Sequence, residues 1–128
     1  LLNQLVLPSG TQRVRAEPHG DGGLLKQAQS IPGASQLTDL HRIWRVHEPY
    51  SSTTSFVENR LPSDAQGQGR GAAGGPGIPY NNENDSYALP TDDRNSVFWL
   101  DLTFVALPHG WTGIRADALV GSCPCVHH

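Results

Sequence analysis

The run Ser96-Val97-Phe98-Trp99-Leu100-Asp101-Leu102-Thr103-Phe104-Val105-Ala106-Leu107 breaks at Pro108-His109-Gly110-Trp111-Thr112-Gly113 and resumes as Ile114-Arg115-Ala116-Asp117-Ala118-Leu119-Val120. Side chains of an extended chain alternate between faces, so Phe98, Leu100, Leu102 and Phe104 form one apolar wall. After the break, Ile114, Ala116, Ala118 and Val120 share one parity, with Arg115 and Asp117 on the other. The two runs predict a long antiparallel hairpin joined by a Pro/Gly turn. Gly121 and Ser122 predict an early end to its second strand. The remaining chain has to cover the wall.

Upstream, Leu37 to Val46 repeats the period of two. Leu40, Arg42, Trp44 and Val46 fall on one face, with Trp44 turned to the core, and His41, Ile43 and Arg45 fall on the other. Ser51 to Leu61 is the helix candidate, with Ser51 or Ser52 as cap, Val57 and Leu61 four apart on one face, and Pro62 as the stop. Ser and Thr fill its first turn and are poor helix formers, so it needs packing against the sheet. Thr11 to Arg15 reads as an edge strand or extended arm, following the apolar run Leu5-Val6-Leu7 and the turn Pro8-Ser9-Gly10. Ser86 to Leu89 reads as a further short strand, preceded by a turn through Asn81-Asn82-Glu83-Asn84-Asp85. The Gln, Gly and Ala of Ser63 to Gly77 bury little apolar surface, so residues 63–77 are expected to be a mobile loop and residues 121–128 a frayed tail.

These elements predict one α+β domain over residues 1–128, a mainly antiparallel sheet with one helix packed on a face. An all-β domain follows instead if the Ser51 to Leu61 segment is too weak to be helical. The length of 128 residues suits a single core. Gly and Pro, at 14 and 10 residues, point to long loops around it. A net charge of -3 with Lys26 as the sole lysine offers no broad basic field, which argues against nucleic acid as a partner. No window approaches the ~20 consecutive apolar residues of a membrane-spanning helix. The chain has no Met and opens on Leu1-Leu2. A signal or anchor segment removed upstream would account for both.

Three groups of residues resemble a family of uncharacterised exported actinobacterial proteins. They are Leu5-Val6-Leu7-Pro8-Ser9-Gly10-Thr11, Leu37-Thr38-Asp39-Leu40-His41-Arg42-Ile43-Trp44-Arg45-Val46, and Val105-Ala106-Leu107-Pro108 with Thr112-Gly113-Ile114-Arg115-Ala116-Asp117-Ala118. The resemblance implies an extracytoplasmic location and brings no activity, cofactor or partner with it. It departs after Ala118, where the family's closing apolar strand gives way to Gly121-Ser122-Cys123-Pro124-Cys125.

Chemistry-bearing residues are sparse. Cys123, Cys125, His127 and His128 are soft and borderline ligands that could take Zn or Cu(I), although one residue between cysteines on a terminus departs from usual structural zinc spacing. Asp39 and His41 share a strand face, and with Ser51 or Ser52 they would make a hydrolase relay with His41 as base. That reading needs an enclosed His41 with a nucleophile in hydrogen-bond reach. No Gly-x-Ser-x-Gly elbow is present, and the Gly67 to Gly77 stretch lacks the Lys-Ser/Thr ending of a phosphate loop. No motif calls for a cofactor. Trp99 and Asp101 lie on the hairpin face opposite Phe98 and Leu100, and with Trp111 in the turn they are the candidate ligand platform. Arg115 and Asp117 read as surface charges pairing across to the neighbouring strand. The functional expectation is a non-catalytic extracytoplasmic domain that binds another protein or a cell-envelope ligand through the Trp99 face and the loop Gly67 to Asn84. The alternatives are the His41 hydrolase and a metal-binding module at the carboxy-terminal Cys and His residues.

Overall fold

The computed structural model describes residues 2–15, 35–71, 82–91 and 96–122. After a short turn of 3-10 helix at Leu2–Gln4 come β1 (Gln12–Val14), β2 (Ser35–Val46), α1 (Tyr50–Glu58), β3 (Gln66–Gly71), β4 (Asn82–Leu89), β5 (Ser96–Ala106) and β6 (Thr112–Ser122). The strands form one six-stranded sheet in the order β1, β2, β6, β5, β4, β3. Every neighbouring pair is antiparallel. The domain is α+β, with α1 packed on one face.

The β5–β6 hairpin forms the centre because its two runs match in length and pattern. Phe104 lies opposite Ile114, Leu102 opposite Ala116 and Leu100 opposite Ala118. All of these are buried, together with Trp44 and Val46 of β2 and Val57 of α1. The turn at Pro108–Gly110 is closed by the Leu107 amide donating to the Trp111 carbonyl at 2.8 Å. His109 and Gly110 both have positive φ, 64° and 80°. Gly110 takes this conformation without steric cost, whereas His109 carries a modest strain.

The helix survives its poor composition through burial. Thr53, Thr54 and Val57 are its buried positions. Each threonine hydroxyl donates to a carbonyl one turn back, Thr53 Oγ1 to Pro49 at 3.0 Å and Thr54 Oγ1 to Ser51 at 3.1 Å. Buried polar atoms are thereby satisfied without a partner from the sheet. The helix starts at Tyr50 with Pro49 in the capping position and no side-chain cap, so Ser51 and Ser52 are exposed helical residues. It stops at Glu58, three residues short of the expected end. The Asn59 and Arg60 amides donate to Ser55 and Val57 as the helix closes, ahead of Pro62.

Three expectations from the sequence are corrected. Residues 66–71, expected within a mobile loop, form β3 and pair with β4 through a register shift between Gly67 and Gly69. Main-chain hydrogen bonds need no side chain, so a free strand edge can recruit a glycine-rich segment of low intrinsic preference. The polar patch expected as a turn belongs to β4, which begins at Asn82. β6 continues through Gly121 and Ser122, opposite Val97 and Ser96. The start of β5 supplies the backbone partners that Gly121 and Ser122 need to continue the strand. Residues 123–128 of the expected tail lie outside the described residues.

Candidate functional site: two acid clusters on opposite faces of the sheet

The antiparallel register sets one polar row across four strands, with His41 of β2 opposite Asp117 of β6, Asp117 opposite Asp101 of β5, and Asp101 opposite Ser86 of β4. Arg115, two residues from Asp117, points to the same face. Its Nε and Nη2 donate to Asp117 Oδ1 and Oδ2 at 2.7 and 2.9 Å, a bidentate pair. Nη2 also lies 3.8 Å from Asp39 Oδ2. Arg115 and Asp117 were expected at the surface and are instead buried, at 5% and 0% exposure. The sequence alternation is correct, but this face of β5 and β6 is covered as well.

The cluster grades from dry to wet toward β2. Asp101 is 2% exposed, and its Oδ1 has no hydrogen-bond partner among the described residues. Burial raises its pKa above the ordinary carboxyl value, the Ser86 hydrogen bond offsets part of this, and Asp117 raises it further. Asp39 has a quarter of its side chain exposed, and His41 is exposed. Burial, a hydrogen bond to Asp117 and the Asp117 charge push Asp39 up to about 6, against the opposing pull of Arg115 and His41.

The second cluster lies on the α1 face. Glu58, the last residue of α1, meets Glu83 and Asp85 of β4, with carboxylate oxygens within 4.8 Å of one another. Tyr50 Oη donates to Glu83 Oε1 at 2.9 Å, and Tyr87 Oη donates to Glu58 Oε2 at 2.7 Å. The two tyrosine bonds tie both ends of the helix to β4. Asp85, 2% exposed, is pushed up to about 9 by burial first, then by hydrogen bonds and charge from Glu83 and Glu58. Burial and the Glu83 carboxylate likewise raise the Tyr50 hydroxyl.

Comparison of the chain with protein-family models, with curated proteins and with solved structures gave no match. The site therefore rests on geometry.

The three platform residues are not brought together. Trp99 pairs with Leu119 at one end of the hairpin, whereas Trp111 sits in the turn at the other. Trp99 is half-buried and Asp101 is buried, so Asp101 presents no surface beside Trp99 among the described residues. Trp111 is engaged locally, stacked on His47 at 4.8 Å and 22°, with the Arg45 guanidinium 4.8 Å from its ring centre. The serine relay is not assembled. Ser51 and Ser52 are on α1, which packs against the Trp44 face, while His41 is on the opposite parity of β2 and is exposed. Cys123, Cys125, His127 and His128 lie outside the described residues.

At the edge of the sheet, where β1 ends, a cavity of about 320 Å³ is lined by Arg13, Val14, Arg15, His41, Arg42 and Ile43. It gathers three of the chain's nine Lys and Arg residues around one opening. β1 pairs with β2 only as far as Ile43, so among the described residues the outer edge of β2 beyond that point has no partner strand. The sequence signal for this site was present in Arg13-x-Arg15, a spacing of two that places the pair on one strand face. The register between β1 and β2 sets Arg13 opposite Trp44, on the face that Arg42 shares. No helix of the described residues is long and apolar enough to cross a membrane.

Proposed function

We propose that the chain is a non-catalytic, extracytoplasmic binding domain whose ligand presents a phosphate or carboxylate group to the arginine-lined cavity beside His41. The carrying observation is that Arg13, Arg15 and Arg42 line one cavity, with Arg13 opposite Trp44 on the strand face that Arg42 shares, in a chain of net charge -3. Guanidinium groups offer planar forks of N–H donors that match phosphate and carboxylate oxygens. Local positive charge within a net negative molecule favours a discrete anionic group over an extended polyanion. The resemblance to exported proteins supports a location outside the cytoplasm, where acidic groups of cell-envelope polymers provide ligands of this chemistry. The binding residues are therefore assigned to the β1–β2 edge in place of Trp99, Asp101 and Trp111.

Inorganic phosphate and citrate serve as probes in a calorimetric titration at constant ionic strength. Saturable binding that falls at least tenfold in Arg13→Ala/Arg15→Ala and is unchanged in Trp99→Ala is the expected result. No saturable heat from either probe, or equal loss in Trp99→Ala, would sink the assignment. Both arginines are exposed, so their removal leaves the core intact.

A further inference from the structure

We propose that Asp39, His41 and Asp117 form a divalent transition-metal site at the outer edge of the β2–β6 pair, with one imidazole and two carboxylates as protein ligands. One ligand atom from each of the three lies within 4.8 Å of the other two. An ion with bonds of ~2.1 Å holds adjacent donors roughly 3–4 Å apart. Rotation of the exposed His41 closes the set, with no shift of either strand.

A second observation is the buried charge behind the set. Asp101 lies next to Asp117 in the same cross-strand row, is 2% exposed, and keeps Oδ1 without a hydrogen-bond partner among the described residues. Asp39 and Asp117 both lie against the Arg115 guanidinium, and Asp101 adds a third carboxyl group beside Asp117. A divalent ion bound to Asp39 and Asp117 offsets carboxylate charge in a region where water cannot. Arg115 engages both oxygens of Asp117 but leaves each a lone pair. It fixes the carboxylate's orientation, as outer-shell partners of metal ligands do. Its own charge lowers the affinity relative to a purely anionic cage. The mixed nitrogen and oxygen set selects Zn²⁺, Mn²⁺ or Co²⁺ over Ca²⁺ and Mg²⁺, which prefer oxygen alone. Solvent reaches the ion through the exposed His41 side, which leaves coordination positions open.

The test is a calorimetric titration with ZnCl2 and MnCl2 in phosphate-free buffer. It is made in the Cys123→Ser/Cys125→Ser/His127→Ala/His128→Ala background, so that the terminal thiols and imidazoles contribute nothing. One ion per chain is expected, with affinity reduced at least tenfold in Asp39→Asn and in His41→Ala and unchanged in Glu83→Gln on the opposite face. Both weakening substitutions fall outside the core, and circular dichroism verifies their fold. Absence of saturable binding, binding that survives both Asp39→Asn and His41→Ala, or binding lost in Glu83→Gln would each overturn the site. His41 borders both sites, and Arg13→Ala/Arg15→Ala separates them: it is expected to weaken phosphate binding at least tenfold and to leave metal affinity intact.

Discussion

The two acid clusters are built on the two faces of one sheet, yet they handle buried carboxylates in opposite ways. On the face away from α1, Asp117 is held by a bidentate guanidinium, and the cluster opens to the surface through Asp39 and His41. Beneath α1, Glu58, Glu83 and Asp85 meet two tyrosine hydroxyls, and Asp85 keeps its proton to about pH 9. A carboxylate paired with a cation resists protonation, whereas one packed among carboxylates invites it. The first arrangement leaves charge at a surface opening, where a ligand or ion can use it. The second neutralises charge internally and ties the helix to the sheet.

The largest expected effect comes from breaking the charge pair. Asp117→Ala leaves the Arg115 guanidinium buried with its main partner gone, a change that costs about 3–5 kcal/mol. Urea denaturation measures it. Arg115→Met with Asp117→Leu removes both charges at similar volume and is expected to recover most of the loss, because replacing a whole buried pair is near neutral. If the double variant were as unstable as the single, the pair would not be the feature that distinguishes this face.

The α1 face has a different signature, a pH dependence of opposite origin. Asp85 titrates near 3.8 when unfolded and near 9 when folded, so the folded state binds its proton more tightly. Its contribution is fully present below pH 3.8 and is lost as pH rises toward 9. Asp85→Asn removes that slope. The variant is expected to gain stability over the parent between pH 5 and pH 8 by at least about 1.4 kcal/mol, the worth of one pKa unit. Denaturation series at the two pH values test this, and parallel curves would break the contrast between the faces. Tyr87→Phe removes the 2.7 Å donor to Glu58, and a loss of about 1 kcal/mol is expected by the same measurement.

The hairpin was legible because its apolar parity, Phe98 to Phe104 and Ile114 to Val120, carries the period of a strand and meets an unambiguous Pro/Gly turn. The helix was legible from Val57 and Pro62, though not its end at Glu58. The burial of Arg115, Asp117 and Asp101 was not legible. A polar parity beside an apolar one looks the same whether water or more protein lies over it. β3 was hidden for another reason, since Gln66-Gly67-Gln68-Gly69-Arg70-Gly71 has no side-chain pattern and is a strand only because β4 offers an edge. Both clusters join residues distant in the chain, Asp39 with Asp117 and Glu58 with Asp85. The pairing register brings Asp39 and His41 beside Asp117, and helix docking brings Glu58 to Asp85. Spacing of two, as in Asp39-x-His41 and Arg115-x-Asp117, announces a shared face but not which strand lies opposite.

His41 supplies the smallest expected change and the closest test of how the first cluster differs from the second. It stands opposite Asp117 in the register, but it is exposed, and no hydrogen bond places it among the groups that hold Arg115. An exposed residue outside a packed or bonded network contributes within about 0.5 kcal/mol. His41→Ala is therefore expected to leave the urea midpoint nearly unchanged at pH 7, in contrast to Asp117→Ala one strand away. A loss above about 1 kcal/mol, the worth of an average hydrogen bond, would make His41 a structural member of the cluster and close the opening that separates this face from the one beneath α1. A small change leaves the imidazole free for an incoming group, which is what a binding surface requires and a structural network does not.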